Sequence, residues 1–121
     1  MKIVKPNTVV SDNRGKLIEV LLNINYKQMN HVITKKGFVR GNHYHKRTRE
    51  FFYILHGKIV VTVTNIKTKK TTRFTAGPGS CFIIEPYENH TVEFIEDTEW
   101  IVLLSENFNP DNPDIYRVCE E

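Results

Sequence analysis

Helical periodicity is missing from this chain. No stretch places apolar residues at the three-and-four spacing that buries one face of a helix. The apolar residues fall instead into short alternating or β-branched runs, cut by Gly, Pro, Asn and Asp about every ten residues, the pattern of an all-β fold. Lys58–Ile66 is the clearest run, reading IVVTVTNI after its lysine. Branched side chains pack well on a pleated surface and poorly in a helix.

Taken in order, short β pieces are expected over residues 2–10, broken at Pro6-Asn7, with a turn at Ser11–Gly15 and a strand at Lys16–Leu22. Further strands are expected at Gln28–Thr34, Phe38–His45, Glu50–Leu55, Lys58–Ile66, Thr71–Thr75, Cys81–Glu85, His90–Ile95 and Glu99–Leu104. The tail Ser105–Glu121, with Pro110 and Pro113, reads as loop with one short helical turn. Short strands at regular spacing predict a sandwich or barrel.

At 121 residues the chain builds one core and not two. A hydrophobic fraction of 40% and a charged fraction of 26% are those of an ordinary soluble domain. No apolar run approaches a membrane span, and MKIVKPNTVV lacks the apolar centre of a signal peptide, so a cytoplasmic setting is expected. Two cysteines make no disulfide framework. Cys81 reads as a small core residue and Cys119 as an accessible thiol. The net charge of +3 comes mainly from Lys46–Arg49 and Lys67–Arg73. With no aromatic–basic platform beside them, these read as loop and edge charges, and neither nucleic acid nor membrane is an expected partner.

The segment Gly37–Gly57, GFVRGNHYHKRTREFFYILHG, concentrates metal-type side chains in strand-like sequence. Alternation puts His43 and His45 on one face, with Tyr44 on the other. Glu50 opens the next run. His90 shares its face with Val92 and Phe94, so it looks into the core, where an imidazole needs a hydrogen bond or a metal. In a closed antiparallel barrel His43, His45, Glu50 and His90 can converge from three strands. Three imidazoles and a carboxylate suit a transition ion such as Zn, Mn, Fe or Ni and are too nitrogen-rich for Ca or Mg.

Gly37-x5-His43-x-His45-x4-Glu50-x6-Gly57 resembles the first motif of the cupin superfamily at every position. Glu85-Pro86-Tyr87-Glu88-Asn89-His90 resembles the second, P-P-G-x-P-H, but lacks its glycine. The resemblance implies a single double-stranded β-helix (jelly-roll) domain over residues 1–121: a core barrel at about 30–104, N-terminal strands at 1–29 and a C-terminal tail at 105–121. It also implies His43, His45, Glu50 and His90 as ligands of a divalent transition metal, and a homodimer. A homodimer would also cover the outer apolar face formed by Phe51, Tyr53 and Leu55. Lys36–His45 is similar to a segment of cupins that act on nucleotide sugars, among them deoxysugar 3,4-ketoisomerases and the cupin domain of a capsule-synthesis epimerase/reductase. Asp12–Leu17 resembles a segment near the N-terminus of ketoisomerases and 3,5-epimerases, and Leu104–Glu106 with Asp114–Arg117 resembles ketoisomerase tails.

These resemblances imply isomerisation or epimerisation of a keto sugar nucleotide by proton abstraction beside a carbonyl. Imidazole suits that base. With a metal on the four ligands, His31 is the candidate base, since Met29, His31 and Ile33 share a face. Without metal, His43 or His45 is the base. Arg14 and Arg40 are candidate phosphate ligands. Simple alternation turns Arg40 away from His43, and a bulge at Gly41 is needed to bring it inward. A metal-dependent oxygenase and a non-catalytic sugar- or small-molecule-binding module are the alternatives.

Overall fold

The structure, a computed structural model, describes residues 1–118; Cys119 lies outside the described residues. All regular structure among them is β. In chain order the strands are β1 (Lys2–Val4), β2 (Asn7–Asp12), β3 (Gly15–Glu19), β4 (Gln28–Thr34), β5 (Val39–His43), β6 (Glu50–His56), β7 (Ile59–Asn65), β8 (Thr71–Ala76), β9 (Cys81–Ile84), β10 (Glu88–Phe94) and β11 (Thr98–Leu104). They form a five-stranded sheet in the order β1-β9-β6-β11-β4, a four-stranded sheet β5-β10-β7-β8, and a separate hairpin β2-β3. Every named pairing is antiparallel.

The two larger sheets face each other across one core. Phe52, Ile54, Phe82, Ile84, Trp100 and Val102 come from one, and Ile59, Val61, Val63, Val92 and Phe94 from the other. Strands β7, β10 and β11 alternate buried with half-buried residues, as strands with one face on a core must. Rings interlock across the interior: Phe94 lies 5.8 Å from Trp100, and Phe74 5.1 Å from Phe82, edge to face. Cys81 is buried, as expected.

Two local expectations change. On β6 Phe51 is covered from within the chain, only 2% exposed with the Tyr26 ring 6.4 Å away, while Tyr53 and Leu55 on the same face stay half-buried. The apolar surface lies elsewhere. Hairpin β2-β3 is exposed along nearly its whole length, with Val9, Val10, Leu17 and Ile18 in solvent, and Met29, Ile33, Phe38 and Val39 are exposed beside the free edge of β4. The expected helical turn of the tail is absent from the described residues. Prolines 110 and 113 remove two donors, and the segment hydrogen-bonds to the barrel instead: Phe108 N donates to Gln28 Oε1 (2.8 Å), and Tyr44 and Tyr116 exchange two backbone bonds of 2.9 Å each.

Candidate functional site

The site is assembled at the ends of β5, β6 and β10. His90 pairs directly with His43 across the β10–β5 ladder. The register then slips, so that Thr91 faces Gly41 and Val92 faces Arg40, leaving Asn42 as the extra residue of a β-bulge. Gly41 (φ +88°) and Asn42 (φ +57°) both take left-handed backbone, which glycine and asparagine tolerate best. Opposed residues share a face, so the bulge puts Arg40 on the same inward face as Val92 and His43. A side chain at Gly41 is excluded, because a Cβ there would sit 2.6 Å from the His90 carbonyl oxygen.

His43, His45, Glu50 and His90 each offer one ligand atom, and these atoms lie within 4.8 Å of one another. Glu50 Oε1 is 2.5 Å from His45 Nε2 and 3.2 Å from His90 Nε2. The imidazole centroids are 4.8–5.3 Å apart. Two atoms bound to one ion at about 2.0–2.2 Å cannot be more than about 4.4 Å apart, so the observed spread is within a few tenths of an ångström of a common coordination sphere. The ring nitrogens are also set for it. His45 Nδ1 donates to the Asp114 carbonyl (2.6 Å) and His90 Nδ1 to the Glu88 carbonyl (3.1 Å), leaving both Nε2 atoms aimed inward. These residues fit a divalent transition metal.

The electrostatics differ between neighbours. Burial, helped by His90 and His45, lowers His43 to about 4, so it is neutral at neutral pH. Burial also pulls His45 down, but hydrogen bonding and charge from Glu50 and contact with Asp114 outweigh it and raise His45 above the ordinary value. Burial pushes Glu50 up, and the hydrogen bonds and charges of His45 and His90 more than reverse that, so Glu50 is ionised.

A cavity of about 270 Å³ opens onto the cluster. Trp100, Val102 and Leu104 form its apolar side, and Arg40, Arg47 and several amide side chains form the polar side. Arg40 is anchored by its Nε donating to Thr34 Oγ1 (2.8 Å). The tail residues Asn107–Asn109, Asn112, Asp114 and Ile115 complete the mouth.

Of the residues singled out in the sequence, His43, His45, Glu50, His90 and Arg40 come together here. His31 does not. It stands on the outer face of β4, half exposed, with Nε2 2.7 Å from Glu99 Oε2. Inward from β4 point Asn30, Val32 and Thr34. The apolar set Met29/Ile33 marked the wrong side, because this strand lines an open cavity of mixed character, where amide side chains are tolerated beside Val32. Arg14 lies on the exposed hairpin, its guanidinium bound to Asp12. The missing glycine of the second motif is explained by Tyr87, which stands at that position with φ +66°. Tyr87 N donates to the His45 carbonyl (2.7 Å), and its ring stacks on Tyr44 at 6.1 Å. Thr34 left no signal in the sequence, and Asp114 was marked only by the tail resemblance of Asp114–Arg117, which names no partner; each acts across a long chain separation with no period attached.

No curated protein matches the sequence at a significant level. Among solved structures, the chain is similar to the capsular polysaccharide assembling protein CapF of Staphylococcus aureus, at 25% identity and a TM-score of 0.71. That match covers 93% of this chain and 34% of CapF, so the chain spans about a third of its relative's length. It is similar in fold to the QdtA 3,4-ketoisomerase of Thermoanaerobacterium thermosaccharolyticum, solved with TDP (22% identity, TM-score 0.78, covering 96% of this chain and 86% of that one). The RmlC epimerase of Mycobacterium tuberculosis shares the fold at 17% identity and a TM-score of 0.80, covering 97% of this chain and 68% of the other. The family model described as the polysaccharide biosynthesis C-terminal domain matches residues 10–116. The chain therefore belongs to the polysaccharide biosynthesis C-terminal domain family, built on the RmlC-like cupin fold.

Proposed function

We propose that this protein is a metal-binding cupin that isomerises or epimerises a keto sugar carried on a nucleotide. The observation that carries the reading is the convergence of His43, His45, Glu50 and His90 in one cluster, the first three lining a cavity whose wall also holds the anchored Arg40. The family and the structural relatives support it. CapF is a capsular polysaccharide assembling protein, and a variant of the QdtA ketoisomerase has been solved with TDP-4-keto-6-deoxyglucose.

The four side chains would hold Zn, Mn, Fe or Ni. When bound, the ion would supply a Lewis acid for the substrate's carbonyl oxygen, and Glu106, the cavity carboxylate used neither as a ligand nor by the Lys46–Thr48 loop, would take the proton from the neighbouring carbon. Arg40 meets the diphosphate or that oxygen as a fixed cation. Trp100, Val102 and Leu104 exclude water from one side, which strengthens every charge interaction inside. Arg47 extends the positive wall toward the mouth. His31 has no path to the cavity within the chain.

A second reading is favoured by one contact, the 2.5 Å hydrogen bond between His45 and Glu50. A carboxylate so placed makes the imidazole more basic and holds its orientation. In that reading Glu50 and the Asp114 carbonyl hold both ring nitrogens of His45, and neutral His43 beside this pair takes the proton.

We also propose that the protein acts as a homodimer in the cytoplasm. The exposed apolar residues of hairpin β2-β3 and the neighbouring β4 edge support it, since an isolated two-stranded hairpin is marginally stable in water. Any role of Arg14 in binding phosphate then depends on assembly.

Elemental analysis of the purified protein, joined to turnover of a keto sugar nucleotide in deuterated water, tests these readings. A stoichiometric metal with deuterium at carbon supports the first. Deuterium incorporation that survives full chelation supports the metal-free base, His43 beside the His45–Glu50 pair. Bound iron with oxygen consumption and no exchange indicates an oxygenase. Tight binding with no exchange indicates a binding module.

A further inference from the structure

The four ligand-type side chains lie on or beside β5, β6 and β10, but the backbone around them is held by a segment outside those strands. Asp114 sits in the tail, 69 residues beyond His45. Its carboxylate accepts four hydrogen bonds from a single loop: Lys46 N (2.9 Å), Arg47 N (2.8 Å), Thr48 N (2.9 Å) and Thr48 Oγ1 (2.9 Å). Three successive backbone N–H groups aimed at one carboxylate form an anion nest. Burial raises the Asp114 carboxyl, but those hydrogen bonds lower it further, so it is ionised. The same residue's carbonyl accepts the Nδ1 proton of His45 at 2.6 Å. Asp114 therefore grips the loop linking His45 to Glu50 and fixes the imidazole of His45 at once.

The next residues fasten this grip. Tyr116 exchanges backbone hydrogen bonds with Tyr44, the residue between the paired histidines. The Tyr116 ring stacks on Tyr44 at 5.7 Å and 29°, and Tyr44 in turn on Tyr87 at 6.1 Å and 28°. Lys46 caps one end of the column over Tyr116 and Lys67 the other over Tyr87, each 4.2 Å from the ring centroid. Arg117 donates to the carbonyls of Gly41 (3.3 Å) and Asn42 (3.1 Å), the two bulge residues. Residues 114–117 thus touch the β5 bulge, the His43–His45 arm and the loop to Glu50, and through Tyr44 the turn that precedes His90.

We propose that Asp114 is the positioning residue of the site: its carbonyl keeps a proton on His45 Nδ1, so that Nε2 is the ring atom aimed at Glu50 and the one an ion would take over. The metal part of this proposal rests on the metal-binding reading above; the tautomer part does not. A ligand whose remote nitrogen is so held binds metal more tightly, because the ring is already oriented and its remote proton already placed. Neither of the two cupin-like motifs includes Asp114. Its carboxylate and its carbonyl act together, so a shift of the tail would release both the loop and the imidazole.

Two measurements on the purified full-length chain test this. The first is a long-range nitrogen–proton correlation spectrum of the metal-free protein, which reads each histidine's tautomer. His45 is expected to keep Nδ1 fully protonated in the unsubstituted protein and to lose that proton in part in Asp114→Ala, where Glu50 still holds the Nε2 proton. The second is a chelator-competition titration with Zn²⁺ alone, in which Asp114→Ala should bind about 10- to 100-fold more weakly. Asp114→Asn keeps one acceptor oxygen and should fall between; it carries the test if Asp114→Ala does not fold. Asp111→Ala removes the same charge from the same tail without touching the loop and should match the unsubstituted protein. An unchanged His45 tautomer in a folded Asp114 variant overturns the proposal, and so does unchanged zinc affinity in a chain that binds zinc. If the unsubstituted protein binds no zinc, the metal reading fails on its own, and the tautomer spectrum still decides the role of Asp114.

Discussion

His43 and His90 are direct partners across the β5–β10 ladder, with rings 4.8 Å apart at 84°. They form the last registered pair before the bulge at Gly41 and Asn42. The backbone of those two residues therefore sets how the histidines meet, and it also turns Arg40 into the cavity. Ligand geometry and the cationic wall depend on one irregularity.

Gly41→Ala should be strongly destabilising. Alanine in left-handed backbone costs about 1 kcal/mol or more, and its Cβ would press on the His90 carbonyl oxygen at 2.6 Å. A total loss of about 2–3 kcal/mol is expected in urea denaturation. A variant within about 0.5 kcal/mol of the unsubstituted protein would mean that the bulge relaxes freely.

At Tyr87 the usual preference for alanine over glycine should reverse. Tyr87 holds φ +66°, and its ring stacks on Tyr44 beneath Lys67. Both Tyr87→Ala and Tyr87→Gly lose the stack, but only glycine relieves the backbone. Tyr87→Gly should be the more stable of the two by about 1 kcal/mol. Equal unfolding midpoints would remove the case that the turn is strained.

Replacing one ligand should empty the site without unfolding the barrel. His43→Ala, from a half-buried position in the cavity wall, is expected to lose at least roughly a hundredfold in zinc affinity while keeping its β-sheet circular dichroism. His90→Ala, which is more deeply buried, should lose affinity and some stability. Full metal content in both variants after dialysis would show the ligand assignment to be wrong.

The metal-free protein should weaken as pH falls through the weakly acidic range. Folded His43 sits at about 4 against an ordinary 6.5, so between those values the unfolded chain takes up a proton that the folded chain refuses. Its contribution is complete above 6.5 and is lost as pH drops toward 4. Glu50 adds to this lower down: its carboxyl is held below 4.5, so its stabilisation is present above that value and disappears as it protonates. His45 works oppositely, because its folded value is raised. Its contribution is full below 6.5 and fades as pH rises through the folded value. Allowing for the partial exposure of His43, urea unfolding in chelator should show a loss of about 1–2 kcal/mol between about pH 7 and about pH 4.5. His43→Gln should flatten that slope; an unchanged slope would reject the assignment.

Much of this molecule was readable from the chain. The absence of helical period and the turn residues predicted an all-β fold, and most strand positions follow from alternation, which is a local property of the pleat. Both cupin-like motifs were visible because each is a compact run whose spacing reflects one strand–turn–strand unit. His90 was placed inward by Val92 and Phe94, and the structure buries all three.

Alternation groups residues by face but does not say which face points in. On β4 the apolar set Met29 and Ile33 went outward with His31, while Asn30, Val32 and Thr34 went inward, because an open cavity of mixed polarity accepts amide and hydroxyl side chains that a closed core would not. The bulge that reorients Arg40 depends on register against β10, and the cover over Phe51 depends on where Tyr26 lands. Asp114 is the clearest case. Its partners are backbone N–H groups, which carry no residue identity, and they lie 66 to 68 residues away. The sequence by itself determined the strands and the ligand types. Only the tertiary structure decided which faces turned inward and what held the histidines in place, because those depend on contacts between segments that share no local pattern.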